Sequence, residues 1–237
     1  MKKIIFSLIF LTFQFTAKSQ LYEYYITKAN SFIDMDNYEQ AIFYYNKAVE
    51  HSPNLPQGYF HRALPEYFSE DYENALDDLN HVLSIDPNYI QTYKYRGMVY
   101  EALFNNEQAL NDYNIYLDSF PNHLVTLSSK AWILCKLNRE NEAKEVLDRA
   151  LSIDSNHIPT LNVLGLYYEQ IKLFHEAVEQ FTLIIQLDPG YGSSYYNRGR
   201  NNYYLENYAQ ACSDWKIATQ LGIEDAAWLY DGESKCK

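Results

Sequence analysis

Six alanines stand 34 residues apart without one insertion: Ala41, Ala75, Ala109, Ala143, Ala177 and Ala211. A second series in the same register is also small: Ala29, Ala63, Gly97, Ala131, Gly165 and Gly199. Two further series are large, Tyr25, Tyr59, Tyr93, Leu127, Leu161 and Tyr195, then Tyr45, Leu79, Tyr113, Leu147, Phe181 and Trp215. A fixed period of this length restricts the chain to stacked supersecondary units, because one unit cannot bury its apolar face alone. A chain of 237 residues would otherwise suggest one or two globular domains. The repeats replace that expectation with a single continuous array.

Within each unit the apolar spacing is helical, as in Ala109, Leu110, Tyr113, Tyr116 and Leu117. Two antiparallel helices, A and B, are expected per unit; in the third they fall near 91–103 and 107–118. Pro53, Pro87, Pro121 and Pro189 close B helices, since proline cannot continue them. Asp86-Pro87-Asn88 and Asp154-Ser155-Asn156 supply turn chemistry into the next A helix. No strand is read, so the fold class is all-α.

The unit from Ile158 to Tyr191 has Leu161, Leu164-Gly165, Tyr168, Ala177, Phe181 and Pro189. On these residues the sequence resembles the tetratricopeptide-repeat family, with Leu161 where the pattern has tryptophan. The resemblance covers Tyr22 to about Gly222. It implies an α-solenoid of six helix–turn–helix repeats (22–55, 56–89, 90–123, 124–157, 158–191 and 192–222) with a short C-terminal capping helix over about 223–231. Leu221-Gly222 is a good helix end, and the next apolar face runs from Ile223 through Ala227 to Tyr230. Ala211-Cys212-Ser213-Asp214-Trp215 with a late Cys236 is similar to the closing repeat of exported bacterial members. Pro65, inside helix A of the second repeat, either widens the groove or is a kink that neighbouring helices carry; the kink is preferred. Glu66, at a position that is usually aromatic, points to a locally altered helix. Asn202, at the same position, suggests shifted packing in the sixth repeat.

The first segment reads differently. Lys2 and Lys3 precede an apolar run from Ile4 to Phe15, and Ala17-Lys18-Ser19 follows. This is the pattern of a secretory signal peptide over 1–19, giving a chain from Gln20 to Lys237 and a periplasmic or extracellular address. No cysteine follows the run to take a lipid. Losing Lys2, Lys3 and Lys18 would take the formal charge from −12 to −15. That balance excludes a basic nucleic-acid footprint and disfavours anionic lipid surfaces.

No catalytic constellation, metal site or cofactor site is expected. The six histidines (His51, His61, His81, His123, His157 and His175) are scattered, with His123 and His157 in loops. Asp34-Met35-Asp36-Asn37 begins like a calcium loop, but Tyr38, Glu39 and Tyr45 then occupy ligand and turn positions. The remaining carboxylates are read as solvated helix faces. Of three cysteines, Cys212 and Cys236 are the preferred pair for a disulfide, against all three reduced.

The family resemblance implies a concave groove lined by the A helices, and hence a protein or peptide partner and no small-molecule substrate. The residues it places there include Phe60, Lys94, Tyr95, Met98, Trp132, Asn162, Tyr196, Asn197 and Arg200, with Ile26, Asn30, His61, Leu64, Val163 and Leu166 beside them. Some members clamp acidic C-termini with lysine, arginine and asparagine. Asn30 fits that clamp, but Ile26, Gln91 and Tyr95 replace its basic residues, so it is not expected. The function implied is a non-enzymatic interaction scaffold; the alternative is a self-assembling structural module of the cell envelope.

Overall fold

The computed structural model describes residues 19–226 together with Leu229 and Cys236. The proposed signal peptide lies outside them, apart from Ser19. Twelve α-helices occur among the described residues, in six A/B pairs. They are α1 (19–33) with α2 (Tyr38–His51), α3 (Pro56–Phe68) with α4 (Tyr72–Ile85), and α5 (Ile90–Ala102) with α6 (Asn106–Ser119). Then come α7 (Leu124–Lys136) with α8 (Glu140–Ile153), α9 (Ile158–Gln170) with α10 (Phe174–Leu187), and α11 (Gly192–Tyr204) with α12 (Tyr208–Gln220). The fold is therefore all-α, in tetratricopeptide-like helix pairs. Two compact units divide the chain between Ser119 and Phe120, where the sequence suggested one uninterrupted array.

Small residues on the A helices face large ones on the B helices of the same pair. A Cβ built on Gly97 would lie 2.6 Å from the Tyr113 ring, one on Gly165 2.6 Å from Phe181, and one on Gly199 2.6 Å from Trp215. In the second repeat Ala63 and Leu79, a smaller B-helix residue, belong to one cluster with Ala75 and Val82. Leu161, Ala177, Phe181 and Ile184 form the cluster of the fifth repeat. Burying one such large apolar side chain contributes about 1.5–3 kcal/mol.

Turns repeat with the same regularity. Asp36, Glu70, Phe104, Asn138, Lys172 and Glu206 all have φ between 54° and 63°. Each reverses the chain from an A helix into its B helix. This left-handed conformation lets amides beyond the helix bond back into it, as Leu173 donates to the Tyr168 carbonyl at 2.8 Å. Between repeats, the Asp86 carboxylate accepts from Asn88 N–H at 3.0 Å and that of Asp154 from Asn156 N–H at 2.9 Å.

Pro65 does not shorten its helix. α3 has 13 residues, as α5, α7, α9 and α11 do, and Pro65 is buried inside it. α12 ends at Gln220, and the chain turns at Gly222, whose φ is 85°, with Ile223 N–H donating to the Ala218 carbonyl at 3.0 Å. Beyond it 224–226 is helical, and buried Ala226 packs with Tyr195, Trp215 and Ala218. Ile223, Leu229 and Cys236 flank that cluster. Ala227 and Tyr230, named for the capping face, lie outside the described residues. Cys212 and Cys236 form a disulfide with Cα atoms 5.4 Å apart, and Cys135 is free and buried.

Candidate functional site

In the first unit the predicted groove residues come from α3 and α5. Phe60 is buried, its ring 5.4 Å from that of Tyr95 and 5.0 Å from that of Tyr89. It belongs to the core of the second repeat, which corrects its placement as a groove-lining residue. Tyr95 is half-buried and carries Lys94 Nζ 4.2 Å above its ring, a cation–π contact. Met98 is also half-buried. Lys94, Tyr95 and Met98 thus keep surface on α5.

The second unit sorts the same way. Trp132 on α7 is half-buried, with Lys136 Nζ 4.9 Å over its ring. Asn162 on α9 is half-buried, and its Oδ1 has no hydrogen-bond partner. Tyr196 is half-buried under the Arg200 guanidinium at 5.7 Å, and Arg200 is ion-paired to Glu169. Glu169 also accepts from Asn201 Nδ2 at 2.7 Å, so the polar end is a linked network. Asn197 is buried and its carbonyl accepts from Asn201 Nδ2 at 2.9 Å. Val163 is buried too. Both are therefore buried rather than exposed on a groove surface.

One concavity in the first two repeats is bordered by α1, α2, α3 and the turn residue Asp34. Asn30 and Ile33 of α1 border it, with Tyr38 and Tyr45 of α2 and His61, Leu64, Pro65 and Phe68 of α3. Its volume is ≈ 400 Å³. Tyr45 donates to the Asn30 side-chain oxygen at 2.6 Å, and burial pushes its phenol up to about 12. The His61 ring stacks on Tyr45 at 6.1 Å between centroids, and burial lowers its pKa. Tyr38 and Phe68 stack at 5.7 Å. An apolar wall with a few fixed polar atoms is the usual make-up of a recognition pocket. Pro65, the departure in the sequence, is part of this wall.

Sequence reasoning missed a charged ladder. Arg62, Arg96 and Arg198 each grip an aspartate 16 residues later, Asp78, Asp112 and Asp214, through Nε and Nη2. The third nitrogen reaches the preceding B helix at Asn46, Asn80 and Thr182. All three aspartates are buried, which corrects their assignment to solvated faces. An arginine and an aspartate at a fixed offset in three repeats was the available signal. His123 and His157 are likewise more than loop residues: His123 Nδ1 accepts from Thr126 N–H at 3.3 Å, and His157 Nδ1 lies 2.7 Å from the Thr160 hydroxyl. Among the described residues no group of three or more His, Cys, Asp or Glu is arranged to hold a metal ion. No described helix is long and apolar enough to cross a membrane.

Tetratricopeptide-repeat models match residues 22–55, 126–157 and 158–191. A segment of 79 residues is 35% identical to the "Lipoprotein NlpI homolog" of Haemophilus influenzae, covering 32% of this chain and 25% of that protein. The chain thus spans a quarter of the length of this curated relative. A tetratricopeptide repeat protein from Parabacteroides merdae is similar in structure, with a TM-score of 0.69, 20% identity, and 90% of this chain and 98% of that one covered. YrrB, described as "a TPR protein with an unusual peptide-binding site", has a TM-score of 0.56 at 22% identity, over 79% of this chain and 97% of its own. With six helix pairs on one 34-residue register and family matches in both units, this chain carries tetratricopeptide repeats.

Proposed function

We propose that the protein is a non-enzymatic scaffold that binds a protein or peptide segment on the face lined by its A helices. The observation that carries this reading is the ≈ 400 Å³ concavity of α1, α2 and α3. It is large enough for one apolar side chain of a partner, and Tyr45, Asn30 and His61 set polar atoms around it. Lys94, Tyr95 and Met98 extend that surface on α5; Trp132, Asn162, Tyr196 and Arg200 offer a second on the other unit. The description of YrrB as peptide-binding is in keeping with it.

Export completes the proposal. The Cys212–Cys236 bond suits an oxidising compartment, and the Haemophilus relative is by name a lipoprotein. Cell fractionation with N-terminal sequencing tests this address: a mature chain beginning at Gln20 is expected, and an intact Met1 terminus in the cytoplasm refutes it.

Binding is tested by capture from the native envelope fraction, read by mass spectrometry. Tyr95→Ala with Trp132→Ala should weaken capture by about 2 kcal/mol or more, the cost of truncating hot-spot aromatics. Helical circular dichroism should stay near wild type. Leu64→Trp, which fills the concavity, should do the same. Unchanged capture by the folded variants places the site elsewhere, and a concentration-dependent mass without partner capture favours self-assembly.

A further inference from the structure

Two cavities occupy the same place in consecutive repeats of the first unit. In the third repeat Arg96, Tyr100 and Asp112 border a volume of ≈ 280 Å³. In the second, the positions 34 residues earlier are Arg62, Glu66 and Asp78, and the volume is ≈ 420 Å³. A ring at Tyr100 fills space that the shorter side chain of Glu66 leaves open.

Glu66 is only 6% exposed, yet its Oε2 has no hydrogen-bond partner. Its Oε1 lies 3.6 Å from Arg62 Nε. Arg62 has little left to give: Nε and Nη2 are held by Asp78 at 2.7 and 2.5 Å, and Nη1 by Asn46 at 2.6 Å. Asp71 and Asp77 add two exposed carboxylates at the rim. Such an enclosed, half-satisfied acid is costly to fold around.

We propose that this cavity is a receptor for a guanidinium group, carried by an arginine side chain of a partner, with Glu66 as its inner acceptor and Asp71 and Asp77 at the mouth. A planar, weakly hydrated cation with several donors fits spaced carboxylates better than an ammonium does. A metal ion is disfavoured, because no described set of three or more His, Cys, Asp or Glu is arranged to hold one. Ile42 on the cavity wall suits the aliphatic stem of the side chain. The formal charge of −12 attracts basic segments to the surface.

Proton exchange accompanies entry. Burial is the main reason the Glu66 acid is raised to about 8, with Asp78 and Asp71 adding to it and Arg62 opposing it. From α2 the lining residues are Ile42 and Asn46, neither charged. The arriving cation replaces the proton on Glu66, which leaves to solvent. Affinity should therefore rise about tenfold between pH 7 and pH 9, as the competent ionised fraction grows.

Isothermal titration of the purified protein with N-acetyl-arginine amide tests this, with N-acetyl-lysine amide, free L-arginine and calcium chloride as parallel probes. The blocked arginine is expected to bind tightest, more strongly at pH 9, with proton release seen as a buffer-dependent heat. Glu66→Tyr, which copies Tyr100, and Glu66→Gln should each cost at least about tenfold in affinity, the scale of one charge-assisted bond. Asp77→Asn, at the exposed rim, leaves packing alone and should cost a few-fold. No arginine binding at pH 9, wild-type affinity in folded Glu66→Tyr, or tighter binding of lysine or calcium overturns the proposal. Tighter binding of free than of blocked arginine overturns the assignment to a partner's side chain.

Discussion

Removing Arg96 alone should unsettle the third repeat more than removing Arg96 and its partner together. The guanidinium donates to Asp112 at 2.7 and 2.9 Å and to Asn80 at 2.9 Å. Its own side chain is 18% exposed, but that of Asp112 is 1% exposed. Arg96→Leu would leave the carboxylate in a dry site with its cation gone. Two charge-assisted bonds at roughly 1.5–3 kcal/mol each, less what water entering the site restores, give a cost of about 3–5 kcal/mol. Arg96→Leu with Asp112→Leu removes the stranded charge as well and should return to within about 1 kcal/mol of wild type. The fifth repeat already has Leu164 and Gln180 at these positions. Urea unfolding followed by circular dichroism gives the magnitudes. Hydrogen exchange in α5 and α6 then assigns the loss to the third repeat, since one unfolding free energy can blur in an array. A single variant costing under about 1 kcal/mol, or a double variant as unstable as the single, refutes the reasoning.

Gly165→Ala should cost about 1–3 kcal/mol by overpacking against Phe181, and Phe181→Leu should relieve it, as Leu79 serves opposite Ala63; thermal melts of the single and double variants decide. Reducing the Cys212–Cys236 bond, which spans 24 residues, should remove roughly 3 kcal/mol and raise exchange first in α12. Burial pushes the Cys135 thiol up to about 11, so it should resist alkylation at neutral pH in the folded protein; rapid labelling would contradict that. Burial raises Glu66 from 4.5 to about 8, so the folded state keeps a proton that the unfolded chain has lost. Stability of the first unit should then fall as pH rises from 4.5 towards 8, and Glu66→Gln should flatten that slope in urea titrations.

Helix pairing was legible because the close approach of two helices demands small residues, and small residues at a fixed spacing show in a sequence. Ala41 through Ala211 mark every B helix, and the boundaries of α5 and α6 fall within one residue of those expected. The inter-helix turns were not legible: their left-handed positions hold Asp36, Glu70, Phe104, Asn138, Lys172 and Glu206, with no glycine to announce them. Charge was misread for a different reason. Asp78 and Asp112 look like any acidic residue on a helix until an arginine 16 residues earlier shows that they are enclosed. Burial was not legible residue by residue: Phe60 and Asn197 were expected on a surface and are buried.

The arginine ladder also constrains how such a chain can lengthen. Each arginine needs an aspartate 16 residues ahead and an acceptor 16 residues behind, and Asp78 and Asn80 lie two positions apart on one B helix. A gene duplication of 34 residues, begun at any point, copies donor, carboxylate and the acceptor for the next copy together. A duplication of any other length would leave a guanidinium facing the wrong helix. The third repeat relates to the second in just this way: Arg62, Asp78 and Asn46 become Arg96, Asp112 and Asn80. The ladder is thus a reading frame written in protein contacts, one that tolerates whole added repeats and penalises fractions of them.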